Sequence, residues 1–237
     1  DTHALLHEAP RAYNTQINDI LLAALALTLK EWAGHDCLLV DLEAHGREDL
    51  FPDIDLSRTV GWLTATYPAL LRVDQSDPGM ALRSVKEQLR QIPRNGIGYG
   101  VLRYSGDQED RLSSQPQAEI IFNYLGQAER MLGVGSDWHP IPGANGGERT
   151  TRYKRSHLLE INGIVMGGQL RLAWAYSRKV YRAETVERLA ERYTETLRSL
   201  ITHCCSVEAG GYTPSDFPAA RIDQKSLDLL MGRINQD

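Results

Sequence analysis

The stretch "CLLVDLEAHGREDL" (37–50) decides the fold. Cys37 to Val40 are apolar and read as a buried strand, and the charges begin at Asp41. Asp41, Glu43, His45, Arg47 and Glu48 then crowd one short segment. Charges sit easily on a surface loop but are costly at the end of a core strand unless paired or used. If the strand continues through His45, two-residue alternation puts Asp41, Glu43 and His45 on one face, with Val40, Leu42 and Ala44 on the other. Gly46 would break the strand, and Arg47 is placed to reach back to a carboxylate as a bidentate partner. Two readings stay open on the residues alone. One is an ion-paired strand terminus held by Arg47 with Glu48 or Asp49; the other is a site with Glu43 as general base. Burial favours a protonated carboxylate and a neighbouring arginine favours an ionised one, a balance suited to proton transfer near neutral pH.

Outward from this strand, helices and strands alternate. Residues 14–33 read as a helix capped by Asn14 or Thr15, with Ile17, Leu21, Ala24, Leu25 and Trp32 near one face and Gly34 as its stop. "RTVGWLTATYPALLRV" (58–73) reads as extended, with Pro68 marking an edge or a bend. A helix at about 79–92 ends at Pro93, and "EIIFNYLG" (119–126) is a further strand. The glycine- and proline-rich run 127–155 reads as a long loop. "SHLLEINGIVMGGQLRLAWAYS" (156–177) is a hairpin turning at Gly167-Gly168. A last helix at about 182–203 presents Val186, Leu189, Tyr193, Leu197 and Leu200 on its apolar face. The class is α/β, a mixed β-sheet packed with helices.

Bulk properties exclude several function classes. A chain of 237 residues with a net charge of −5 has no basic field to hold phosphates, which argues against a nucleic acid partner. "TTRYKRSH" (150–157) is too short and local to reverse that. No apolar run approaches the ~18 residues of a membrane span. Three cysteines, two of them adjacent, make no disulfide framework, so a reducing cytosol is the expected compartment. His3 with His7 and "HCC" (203–205) lack the second ligand pair a zinc site wants, and no metal is expected. "NGIGYG" (95–100) follows a helix rather than a strand and reads as a tight turn, not a nucleotide loop. No G-x-S-x-G occurs.

Several stretches occur in a fixed order: "NDILLAALALTL" (18–29), "EAHGRE" (43–48), "RTVGWLTATYP" (58–68), "PRNGIGYG" (93–100), "FNYLGQ" (122–127) and "YTPSDFP" (212–218). Together they resemble the epimerization domains of nonribosomal peptide synthetases, within the condensation-domain superfamily. The resemblance covers about Tyr13 to Pro218. It implies a fold of two chloramphenicol acetyltransferase-like lobes meeting around an active-site tunnel. This sequence departs from the family pattern at Ala44, where glycine is usual, at Leu63, where phenylalanine is usual, and at Ala128, where an aromatic is common. The family's His-His-x-x-x-Asp-Gly motif, carried on the N-terminal lobe, does not occur. The chain is therefore expected to be the C-terminal lobe over residues 1–220, with 221–237 as a tail or linker, cut from a longer protein.

The resemblance implies inversion of the α-carbon of an aminoacyl or peptidyl thioester carried on the phosphopantetheine of a peptidyl carrier protein. Glu43 is then the base or acid from this lobe, and its partner histidine belongs to the absent N-terminal lobe. His45, Asn123 and Tyr124 are expected to line the substrate tunnel, with His45 as an orienter. Arg47 and Arg58 are expected to anchor structure, Trp62 to pack, and the 127–155 loop to bridge to the other lobe. The lobe itself is expected to bind no cofactor, and neither nucleic acid nor membrane is an expected partner. The alternatives are half of a condensation domain and a non-catalytic carrier-binding module.

Overall fold

A computed structural model describes residues 1–73, 77–105, 109–129 and 155–234. Its centre is the helix α3 (Ile17–Ala33), preceded by two short helices, α1 (Thr2–His7) and α2 (Ala9–Tyr13). Ile20 to Ala26 are buried without interruption. A helix apolar on all sides must be covered on all sides, and α3 lies among strand β1 (Cys37–Ala44), helix α4 (Pro78–Arg90) and helix α7 (Ala183–Cys204). Its N-cap is Gln16, in a reciprocal capping box with Asp19, rather than the expected Asn14 or Thr15. Asn14 is instead the left-handed residue that ends α2. Gly34 terminates α3 at a positive φ, as its position suggested. Asp19, almost fully buried, is also held by both guanidinium nitrogens of Arg90.

The sheet has five strands in the order β2-β1-β3-β4-β5, with β2 (Ala65–Arg72), β3 (Ile120–Gln127), β4 (Leu159–Met166) and β5 (Gln169–Tyr176). β1 runs antiparallel to β2 and parallel to β3; β3 is parallel to β4, and β4 is antiparallel to β5. This is the expected mixed α/β sheet, with the β4–β5 hairpin turning at Gly167-Gly168 and Pro68 on an edge strand. Leu38, Val40, Leu42, Phe122, Leu159, Ile161 and Val165 are buried, and all but Val165 join one hydrophobic core with the helices. All five apolar positions expected for the last helix, α7, are buried in it. Two further short helices, α5 (Tyr99–Ser105) and α6 (Glu109–Ser113), lie between α4 and β3.

Some expectations are corrected. The extended segment covers only Ala65–Arg72, not 58–73. The β1–β2 ladder starts at Ala44 opposite Ala65, and β1 goes no further, so among the described residues 58–64 have no strand to pair with. Trp62 accordingly does not pack; it is 89% exposed, beside Val60 at 99%. Trp32 is half exposed instead of buried on the apolar face of α3. Residues 224–234, read as part of a tail, form helix α8 and bury Leu227. Most of the long 127–155 loop lies outside the described residues.

Candidate active site

Helices α3, α4 and α7 join one face of the sheet in a single hydrophobic core. On the other face, alternation along β1 presents Asp41 and Glu43, both half-buried, while Val40 and Leu42 point into the core. β3 lies beside β1 in register, Asp41 opposite Ile121 and Leu42 opposite Phe122, so Asn123 follows next to Glu43. The Asn123 amide Nδ2 donates to the Glu43 Oε2 carboxylate oxygen at 2.6 Å. A hydrogen bond this short constrains the direction of the carboxyl group.

One pleat away on the same face, Asp41 Oδ2 lies 2.8 Å from His157 Nε2. His157 just precedes β4, and its Nδ1 lies 3.0 Å from the Ser156 hydroxyl. Both side chains are mostly covered, with 11% of the histidine and 22% of the aspartate exposed. Glu160, buried on β4, pairs with Arg155 at 3.3 Å. A cavity of about 610 Å³ opens over Asp41, Thr66, Pro68, Tyr99, Arg103 and His157. Thr66, the cross-strand partner of Glu43, lines this cavity, whereas Glu43 itself is not among its lining residues.

The turn after β1 shows why these residue types recur together. Gly46 has φ +66, and a Cβ there would stand 1.6 Å from the Leu63 carbonyl oxygen, so only glycine lets the chain pass. Gly96, at φ +72, sits against the Tyr67 ring, where a Cβ would fall 2.1 Å from Cγ. Asn95 Nδ2 donates to Glu48 Oε1 at 2.9 Å, tying the 93–96 turn to the segment after β1. The "EAHGRE", "TATYP" and "PRNGIGYG" stretches thus converge at one end of β1.

Of the expected site residues, Glu43 and Asn123 are brought together. His45 lies beyond the last residue of Glu43's strand. β1 ends at Ala44, and His45 turns outward, 65% exposed, its Nδ1 accepting from the Arg47 backbone N–H at 2.9 Å and its Nε2 3.5 Å from Glu48. Tyr124 takes the opposite side of β3 from Asn123 and packs against the hydrophobic core. The Arg47 guanidinium is directed not to a carboxylate but to the Leu56 carbonyl, to which it donates at 2.7 Å, and Arg58 is exposed. His157 and Arg103 were not singled out from the sequence. His157 is 116 residues from Asp41, and no local pattern signals a pair made through two parallel crossovers. The buried thiol of Cys204 lies on α7 in the core, away from this face, its pKa pushed up to about 12 chiefly by burial and further by Cys205.

A family model described as the condensation domain matches residues 1–222. The chain is 48% identical to part of a linear gramicidin synthase polypeptide of Brevibacillus parabrevis, over 98% of this chain and 3% of that protein. It is 36% identical to part of tyrocidine synthase 1 of the same organism, over 96% of this chain and 22% of that protein. The chain thus spans only a small fraction of these relatives. Among solved structures, the epimerization domain from the third module of tyrocidine synthetase B superposes with a TM-score of 0.78 at 37% identity, over 86% of this chain and 46% of that domain. The first condensation domain of the CDA synthetase shares the fold at a TM-score of 0.57 and 18% identity, over 88% of this chain and 45% of that chain. The mixed sheet packed with helices is therefore a chloramphenicol acetyltransferase-like fold, and the chain belongs to the condensation-domain family.

Proposed function

We propose that this chain is the C-terminal half of an epimerase acting on an aminoacyl or peptidyl thioester held on a carrier protein's phosphopantetheine arm. Glu43 is the acid–base group supplied by this half. The observation that carries the reading is the Glu43–Asn123 pair: a carboxylate on the sheet face away from the core, aimed by an amide on the neighbouring strand, with its cross-strand neighbour Thr66 lining a large cavity. The greater likeness to an epimerization domain than to the condensation domain described above supports the same reading.

The chemistry needs little more than placement. A thioester carbonyl acidifies the neighbouring α-C–H because the resulting enolate is delocalised. The α-proton passes to a Glu43 carboxylate oxygen, and the C–H electron pair moves into the enolate. A proton from an acid on the opposite face then re-forms the C–H bond with inverted configuration. The opposite acid, or the group that stabilises the enolate, belongs to the N-terminal half. Asn123 holds Glu43 in the direction of the reacting carbon, which matters because catalytic efficiency falls steeply with small misplacement. Tyr124, packed on the core side of β3, supports Asn123 from behind rather than touching substrate.

The test is solvent deuterium uptake at the α-carbon of a single carrier-bound thioester incubated with the complete domain. Uptake with loss of stereochemical purity is the expected result. Peptide bond formation between two loaded carriers, without uptake, would identify a condensation domain instead.

A further inference from the structure

Glu43 and Asn123 belong to two halves of the sheet that share little ladder. β1 pairs with β2 along its whole length, from Cys37 to Ala44. β3 pairs with β4 from Ile120 as far as Gln127. Between these halves the β1–β3 ladder holds only Val40–Ile120, Asp41–Ile121 and Leu42–Phe122. Glu43 stands one residue beyond the last of these pairs on β1, and Asn123 one residue beyond it on β3, so no backbone pairing sets the distance between their side chains. The side chain of His157 crosses this seam. It leaves the chain just before β4, passes over β3 and meets Asp41 on β1, Nε2 to Oδ2 at 2.8 Å. The Ser156 hydroxyl, 3.0 Å from Nδ1, holds the ring at its other nitrogen. The backbone behind the ring is tied down as well: the Leu158 and Leu159 N–H groups both donate to the Glu119 carbonyl, at 2.8 and 3.2 Å. The histidine and aspartate side chains are only 11% and 22% exposed, and such partly buried contacts are screened less than surface ones. Asp41 precedes Glu43 by two residues on the same face, about 7 Å along the strand.

We propose that His157 is a positioning residue for Glu43: by gripping Asp41 across the seam it holds the β1–β2 half of the sheet against the β3–β4–β5 half, and so keeps the Glu43 carboxylate within reach of the Asn123 amide. The inference rests on the epimerase reading above and adds a residue to it. His157 acts through Asp41 and β1 and is assigned no contact with substrate. Misplacing a reacting group by about 1 Å can cost on the order of 10²-fold in rate, so a loosened seam slows the chemical step without weakening carrier binding.

The experiment measures α-deuterium uptake by the complete domain against the concentration of loaded carrier. It uses whichever carrier-bound thioester of alanine, valine, leucine, phenylalanine or tryptophan the parent turns over fastest. In His157→Ala, kcat is expected to fall by about ten- to a hundredfold, with KM for the carrier within about twofold of the parent. His157→Gln, whose amide can donate to Asp41 in place of the Nε2–H, is expected to recover to within about threefold of the parent. In an Asn123→Ala background the aim of Glu43 is already lost, and His157→Ala is expected to cost less than about threefold more. Asp41→Ala breaks the same contact from its other partner and is expected to match His157→Ala, so the test stands if one of the two does not fold. A contact that only stabilised the lobe would lower the denaturation midpoint and cost the same in either background. A kcat for His157→Ala within twofold of the parent, or an equal loss with and without Asn123, would overturn the assignment. The displacement is also read without turnover, in the complete domain carrying isotope-labelled asparagine. The Asn123 side-chain amide resonance, identified by its loss in Asn123→Ala, is expected to move in His157→Ala; an unmoved resonance would overturn the clamp. Absence of uptake by the parent on every thioester would instead remove the epimerase reading, with the amide resonance still deciding the clamp.

Discussion

Glu43 and Asn123 come from parallel strands and sit 80 positions apart in sequence, yet they share the hydrogen bond that orients the candidate base. Asn123→Ala removes the orienting donor and leaves the carboxylate in place. A hydrogen bond to a charged group is worth about 1.5–3 kcal/mol, so α-proton exchange is expected to slow by roughly ten- to a hundredfold, with the fold unchanged by circular dichroism. A rate within twofold of the parent would mean that Asn123 does not aim Glu43. The acidic residue was legible in the sequence because charges interrupt an apolar strand and alternation assigns their face. The same rule assigns no face to His45, because β1 ends at Ala44. His157 was illegible because its contact with Asp41 depends on strand order, which local periodicity does not encode.

At the scale of elements, the clearest energetic feature lies away from the site. Lys86 on α4 is only 2% exposed at its side chain, and its ammonium donates to Asp216 at 2.7 Å and to the Tyr13 carbonyl at 2.9 Å. It fastens the "YTPSDFP" stretch and the end of α2 to α4. Removing one partner of a buried pair strands the other, so Lys86→Met is expected to destabilise the lobe by about 3 kcal/mol, read by urea denaturation. Burial alone would raise the Asp216 carboxyl, but hydrogen bonds from Lys86 and the Thr213 backbone outweigh it and hold the group below its ordinary value of 3.8. Its stabilising contribution is therefore complete above about pH 4 and is lost as pH falls through the lowered value. Denaturation midpoints are expected to drop more between pH 5 and 3 in the parent than in Asp216→Asn, itself less stable at neutral pH; parallel curves would contradict this. Gly96→Ala would put a methyl into the Tyr67 ring and hold alanine at φ +72, for a loss of about 2–3 kcal/mol or more. The long helices and the hairpin were legible because each carries a strong period or a turn signal. The short helices α1, α2, α5 and α6 were missed, since five to seven residues give no period to read. The 58–64 run misled because β-branched and aromatic residues favour strands only where a neighbour is there to pair.

On the scale of the whole molecule, the sheet divides two tasks. The face packed on α3, α4 and α7 belongs to the hydrophobic core, and the other face carries the acids, amide and imidazole of the candidate site. The family fold was legible from motifs strung along most of the chain; the cavity was not, because Asp41, Arg103 and His157 are distant in sequence and meet only after β1, α5 and the entry to β4 are assembled. The chain spans 46% of the solved epimerization domain it resembles, and the proposed reaction needs groups on both sides of the α-carbon. The lobe alone is therefore expected to give no measurable α-exchange, and adding the N-terminal half is expected to restore it. The most direct measurement compares deuterium uptake at the α-carbon of a carrier-bound thioester by the complete domain with Glu43 and with Glu43→Gln. A positioned acid or base contributes about 10²–10⁴-fold, so the account requires uptake to fall by at least a hundredfold while the variant keeps its fold and carrier affinity. Uptake at the parent rate in Glu43→Gln would contradict it.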